Sequence, residues 1–178
     1  LIFLDDDSEK SVYGKRVFGP LKKYLDENLK DSYRNAFVAF GNNANRMEWI
    51  YRLIDEGYEV PHIIHPNSYL SSSAKVGLGT IVFAGSVIQS EVKIGKGVII
   101  NTGSLIDHDT NISDGVHICP GVTIAGNVSI DSGTWVGIGS TIIQNINIGK
   151  DAILGAGSVV IKDITDQSKV VGIPAKPI

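Results

Sequence analysis

The chain has 178 residues, 43% of them hydrophobic, with a net charge of -3 and a pI near 5.8. That length can bury one core or two small ones, and the mild acidity without a basic stripe argues against a nucleic-acid partner. A single cysteine, Cys119, rules out an intrachain disulfide and fits a reducing cytoplasm. No apolar run reads as a membrane span or a signal peptide.

Residues 1–62 alternate between two textures. Residues 1–4 read as a buried strand that runs into Asp5-Asp6-Asp7, and residues 21–29 as an amphipathic helix. Residues 36–40 read as a second strand ending in Gly41-Asn42-Asn43, residues 45–56 as a helix closed by Gly57, and residues 60–64 as a third strand broken by Pro61. Strands alternating with helices predict a small parallel sheet, a partial Rossmann-like α/β domain. Ligands of such sheets bind outside the carboxyl ends of the strands. Asp5, Asp6, Gly41 and Asn42 lie at those ends and are candidate contacts for a nucleotide or nucleotide-sugar, although an acidic run can equally cap a turn in solvent. The chain opens on Leu1 within a strand-like run, so the natural protein is expected to begin earlier.

From residue 63 to 178 a repeat takes over. Every sixth residue from Ile64 to Val160 is aliphatic, at seventeen successive positions. Neither a helix nor a continuous strand has a period of six. A short strand, a corner and another short strand do, and three such units close an 18-residue triangular coil. The aliphatic side chains then stack inside, small or β-branched residues two places earlier fit the narrow interior, and glycines serve the corners. The predicted fold is therefore mainly β, a left-handed parallel β-helix preceded by the α/β domain.

Chemistry on this scaffold falls to the histidines. His62 and His65 sit at the domain junction, where a structural role is favoured. His108 lies in Ile106-Asp107-His108-Asp109, and a neighbouring carboxylate can fix the imidazole tautomer and raise its basicity. With 18 residues per coil, His108 stacks beside Gly126, and Asn101 beside Cys119 with His117 nearby. His108 and His117 are nine residues apart, half a coil, and so face opposite sides of the prism. A threefold homotrimer would bring the His108 side of one chain against the Asn101/His117 side of the next. Glycines at 137, 139, 155 and 157 predict a groove free of side chains, suited to a long thin ligand such as pantetheine.

These segments resemble the NeuD/PglD-type sugar acetyltransferases of the hexapeptide-repeat acyltransferases. The resemblance covers nearly the whole chain and is carried by FLDD (3–6), GNN (41–43), INTGSLIDHD (100–109), GVHICPG (115–121), AGNV (125–128) and VGIPAKPI (171–178). It implies direct acetyl transfer from acetyl-CoA to a sugar, with His108 as general base and Asp109 as its carboxylate partner. It also implies that Asn101, His117 and Gly126 lie near the acceptor and the thioester, and that the Gly126 N–H is an oxyanion donor. Acetyl-CoA is expected near Gly126, Gly137, Gly155, Ala156, Ile173 and Pro174. The family's glycine-rich loop before FLDD is missing. The expected acceptor is a nucleotide-linked amino sugar, with O-acetylation of a sialic-acid-type sugar as the alternative. A zinc hydratase on the same scaffold would need three histidines, and the repeat offers only His108 and His117, so no metal is expected. Cys119 reads as a small apolar filler, not a nucleophile.

Overall fold

The computed structural model describes residues 1–7 and 9–178. From Ile63–Ile64 to Val159–Val160 the chain is a three-sided parallel β-helix of two-residue strands. Ile63, Ile81, Ile99, His117, Trp135 and Ile153 stack at 18-residue intervals on one face. A second face carries Tyr69, Val87, Leu105, Thr123, Thr141 and Val159. The third carries Lys75, Lys93, Asn111, Ser129 and Asn147. The next residue of each strand points inward. All fourteen aliphatics of the six-residue series from Val82 onward are buried, each contributing about 1.5–3 kcal/mol by leaving water. Ile64, Leu70 and Val76 are only partly buried, because they belong to the first coil and have a neighbour on one side only.

Buried hydroxyls tie successive coils together. Thr80, Ser86, Thr134 and Ser140 donate to the carbonyls of Gly95, Asn101, Gly149 and Gly155, each 15 residues on. Ser158 has no such partner, since no corner of the same kind follows the last coil. The corners run in columns. Gly85, Gly103, Gly121, Gly139 and Gly157 form one, with φ between 65° and 71°. Glu91, Asp109, Asn127 and Asn145 form another, at φ 57° to 62°. Asp and Asn tolerate this left-handed region better than most side-chain-bearing residues. The strand Lys169–Val171 adds to the last coil and pairs back with Lys176–Pro177.

The N-terminal segment departs from the sequence-based expectation. The strands expected at 1–4, 36–40 and 60–64 do not form a continuous sheet. They are extended runs joined by single bridges, Leu4 to Gly19 and Asn35 to Glu59. Pro20 and Pro61 follow closely and lack the N–H that would extend either ladder. Only Ile63–Ile64 of the third run is a strand, and it belongs to the β-helix. The helix expected at 21–29 splits into a 3-10 turn, Leu21–Leu25, and α1, Glu27–Ser32, because Asp26 caps the second start by accepting from the Asn28 N–H. An antiparallel hairpin, Ser11–Val12 with Lys15–Arg16, was not anticipated.

The helix α2, Asn43–Asp55, begins two residues earlier than expected. The Asn42 side chain caps it by accepting from the Asn45 N–H, and Gly57 follows its end at φ 84°. Ile50 and Leu53 bury themselves with Val38, Tyr58 and Val60 in a second small core. α2 also lies against a β-helix corner, where a Cβ on Gly97 would fall 2.5 Å from the Met47 sulfur and 2.7 Å from Ile50 Cδ1. Close approach is the reason these corners are glycine. No helix among the described residues is long and apolar enough to cross a membrane.

Candidate active site

His108 stands on the corner between the second and third faces, with more than half of its side chain exposed. Its Nδ1 lies 2.8 Å from Asp109 Oδ2. A carboxylate only accepts, so Nδ1 carries the proton and Nε2 keeps a free lone pair. The hydrogen bond to Asp109, and then the charge of Asp107, raise the His108 pKa above its ordinary value. The ring lies over Gly126, where a Cβ would meet His108 Cε1 and Nε2 at 2.7 Å. Only glycine admits the imidazole this close to the backbone. Among the described residues no acceptor takes the Gly126 N–H, so a free donor sits beside the free lone pair.

The other pair lies on the first face. Asn101 Nδ2 is 3.4 Å from His117 Nε2, and Asn101 Oδ1 accepts the Thr102 N–H at 2.8 Å. That backbone bond orients the amide with its NH2 group toward the imidazole. His117 is not on the exposed surface, as the sequence suggested. It is 7% exposed and stacked at 4.2 Å against Trp135. Burial, reinforced by the nearby Arg46 charge and slightly opposed by the Gly41 carbonyl, lowers its pKa to about 4. His117 Nδ1 is buried without a partner. Cys119, beside this pair, is buried and its pKa is pushed up to about 11, so it is a protonated thiol at neutral pH.

The glycines expected to line one groove divide into two kinds. A Cβ on Gly137 would strike the Leu154 carbonyl at 2.5 Å, and one on Gly155 would strike Val171 Cγ1 at 2.6 Å. Those two permit coil-on-coil packing and do not open a channel. Gly139 and Gly157 have open space beyond them. Between them runs a rim where the backbone N–H groups of Ile138 and Ala156 have no acceptor among the described residues. Ile173 and Pro174 are exposed at the turn of the C-terminal hairpin.

The expected acceptor residues carry structural duties. Asp5 pairs with Lys10 at 2.8 Å and accepts the Asp7 N–H, while Asp6 accepts the Leu21 N–H and so caps the 3-10 turn. Asn42 caps α2, and Gly41 is exposed, with open space where a Cβ would stand. The sequence placed Asn43 at a strand end and gave no role to Arg46 or Trp135. Arg46 had a legible signal: it shares a helical face with Ile50 and Leu53, at i+4 and i+7, so a charge stands in an apolar stripe.

The fold, a left-handed β-helix, is that of a class of acyltransferases, and an imidazole–carboxylate pair on one corner with an open glycine rim is compatible with that class. No protein-family profile matches the chain, and neither does any curated protein. Solved structures do. The chain is 33% identical to perosamine N-acetyltransferase from Caulobacter crescentus, solved as a histidine-to-asparagine variant in complex with CoA and GDP-perosamine, with a TM-score of 0.96 over 99% of this chain and 84% of that one. It is 36% identical to the acetyltransferase domain of PglB from Neisseria gonorrhoeae FA1090 in complex with acetyl coenzyme A, with a TM-score of 0.95 over 99% and 85%. WeeI from Acinetobacter baumannii AYE is 27% identical, with a TM-score of 0.91 over 99% and 85%. The chain belongs to the hexapeptide-repeat sugar acetyltransferases.

Proposed function

We propose that this enzyme transfers an acetyl group from acetyl-CoA to the amino group of a nucleotide-linked sugar. The observation that carries the reading is the His108–Asp109 pair, with a free Nε2 beside the free Gly126 N–H. His108 Nε2 takes the proton from the acceptor nitrogen as that nitrogen attacks the thioester carbonyl. Asp109 holds the Nδ1 proton and stabilises the imidazolium that results. The Gly126 N–H donates to the oxygen on which negative charge develops. When the carbon–sulfur bond breaks, the imidazolium returns its proton to the departing thiolate, leaving an amide and free CoA.

The rim of Gly139 and Gly157 accommodates the pantetheine arm, with the free Ile138 and Ala156 N–H groups matching its amide carbonyls. Gly137, Gly155, Ile173 and Pro174 shape the coil end next to it. Support for the co-substrate and the acceptor class comes from the similar structures, which hold acetyl-CoA or CoA with GDP-perosamine. Gly41 and Asn42 are the acceptor contacts we favour on the N-terminal side. Asp5 and Asp6 are further candidates for the same role. We assign the reaction to the cytoplasm, with which a single buried cysteine agrees.

We further propose a homotrimer. His117 lies on the first face and His108 on the corner between the other two, so a complete site needs the His108 corner of one chain against the Asn101/His117 face of another. Apolar side chains exposed on both surfaces, Tyr69 and Leu105 on one and Trp135 and Ile153 on the other, suit such a contact. Thiol release from acetyl-CoA, measured against a panel of nucleotide-activated amino sugars and sialic-acid-type sugars, tests the reading. Turnover with a nucleotide-linked amino sugar is expected. Turnover with a sialic acid alone would replace N-acetylation by O-acetylation, and no turnover with any sugar would overturn the assignment.

A further inference from the structure

Arg46 is 1% exposed, in α2, and among the described residues no carboxylate pairs with it. Its donors are nonetheless all used. Nε donates to the Gly97 carbonyl at 2.6 Å. One terminal nitrogen donates to the Phe40 and Gly41 carbonyls, both at 3.1 Å. The other donates to Asn43 Oδ1 and to the Gly115 carbonyl, both at 2.9 Å. Asn43 continues the set, since its Nδ2 donates to the Gly133 carbonyl at 2.8 Å and reaches the Thr134 carbonyl at 3.3 Å. One guanidinium and one amide thus bolt the loop of residues 40–43 to three consecutive coils.

The bolted place is next to His117. Gly115 is two residues before it, and the Thr134 carbonyl accepts the His117 backbone N–H. The Arg46 guanidinium, bonded to the Gly115 and Gly41 carbonyls, acts on the ring through its charge, and the Asn101 amide and the Trp135 indole flank the ring from adjacent coils. A buried cation with no acidic partner is costly, and a clamp between two packed segments could be made from neutral groups. Here the charge stands beside the one buried histidine of the site, whose Nδ1 is unpartnered.

We propose that Arg46, assisted by Asn43, is a positioning residue for acyl transfer: it seats the Gly41 loop against the first face and holds the His117 ring against Asn101 as a neutral hydrogen-bonding pair. This rests on the reading of His117 as part of the transfer site. The Arg46 charge disfavours an imidazolium, and the bolted loop keeps water away from the ring. His117 therefore stays neutral across the working pH range.

The test follows the His117 ring in protein carrying isotope-labelled histidine, by NMR across pH 4 to 8, together with kcat and KM. In Arg46→Met the His117 midpoint is expected to rise by about one pH unit or more. kcat is expected to fall on the order of ten- to a hundredfold, with the KM for acetyl-CoA little changed. Arg46→Lys keeps the charge and part of the clamp, and should restore the low midpoint and part of kcat. Should Arg46→Met fail to fold, Asn43→Ala removes the Gly133 and Thr134 bonds without emptying the buried pocket, and should shift both quantities the same way by less. A folded variant whose His117 titrates as in the wild type overturns the proposal, even if activity is lost, because the arginine would then be only a clamp. A shifted midpoint with unchanged kcat overturns the catalytic purpose of the positioning and removes His117 from the proposed site. Failure of the acetyltransferase reading itself would show in the wild type, as an absence of turnover with every sugar.

Discussion

His108 and His117 are nine residues apart in one repeat, and their surroundings push them in opposite directions. The His108 corner is open to solvent, carries carboxylates on both sides and holds a ring whose pKa is raised. His117 is buried where α2 and its preceding loop are bonded to the coils around it, near a buried cation, and its pKa is lowered, while Trp135 and Ile153 of the same face stay exposed. The same side chain is exposed and more basic in the first setting, and buried and less basic in the second. The contrast teaches that the role of a histidine in this scaffold is set by what covers its face of the prism, not by its place in the repeat.

The largest expected effect comes from removing the base. His108→Ala should cut kcat by about 100- to 10,000-fold while calorimetry still detects acetyl-CoA binding. If activity survives, the corner is not the catalytic half. Mixing inactive His108→Ala and His117→Ala chains should recover part of the activity once subunits exchange, because some interfaces in mixed trimers contain both native histidines. No recovery in mixed trimers verified by mass spectrometry would place the two halves in separate sites.

Stability should feel the buried histidine next. The folded His117 pKa of about 4 lies below the ordinary 6.5, so an unfolded chain takes up a proton first as pH falls. The contribution is fully present above pH 6.5 and is lost progressively down to about pH 4. It amounts to about 3 kcal/mol over that window. The thermal midpoint of the wild type should drop more steeply between pH 6.5 and 4 than that of His117→Gln. Parallel curves would mean that the ring is solvated.

The rim offers a milder test. Gly157→Asn places a side chain in the open space at a left-handed position that Asn127 and Asn145 show an asparagine can occupy. The KM for acetyl-CoA should rise about tenfold, as for the loss of one good polar contact, with little change in melting temperature. Gly155 is unsuited to this purpose, since a side chain there strikes Val171 and damages packing first.

The smallest effect should be that of Asp109→Asn. It leaves the base in place and removes the main group that raises its pKa. The acid limb of the kcat profile should therefore move to lower pH, with a modest loss at the plateau. An unmoved limb would show that Asp109 does not tune the imidazole.

The sequence by itself determined the β-helix, because a period of six fixes which side chains meet between coils 18 residues apart. It also determined the His108–Asp109 pair and its contact with Gly126, since one is a matter of adjacency and the other of coil register. Periodicity gave no comparable guide to the first 62 residues, where single bridges beside Pro20 and Pro61 replaced the expected strands. Only the tertiary structure decided that His117 is buried, that Gly137 and Gly155 are packing contacts while Gly139 and Gly157 are open, and that Arg46 and Asn43 bolt the two parts together. The Arg46 bonds to Gly97 and Gly115 span 51 and 69 residues, and the Asn43 bond to Gly133 spans 90. No local pattern encodes such separations. They follow from where α2 comes to rest on the prism, and that placement is set by shape and desolvation summed over the whole contact.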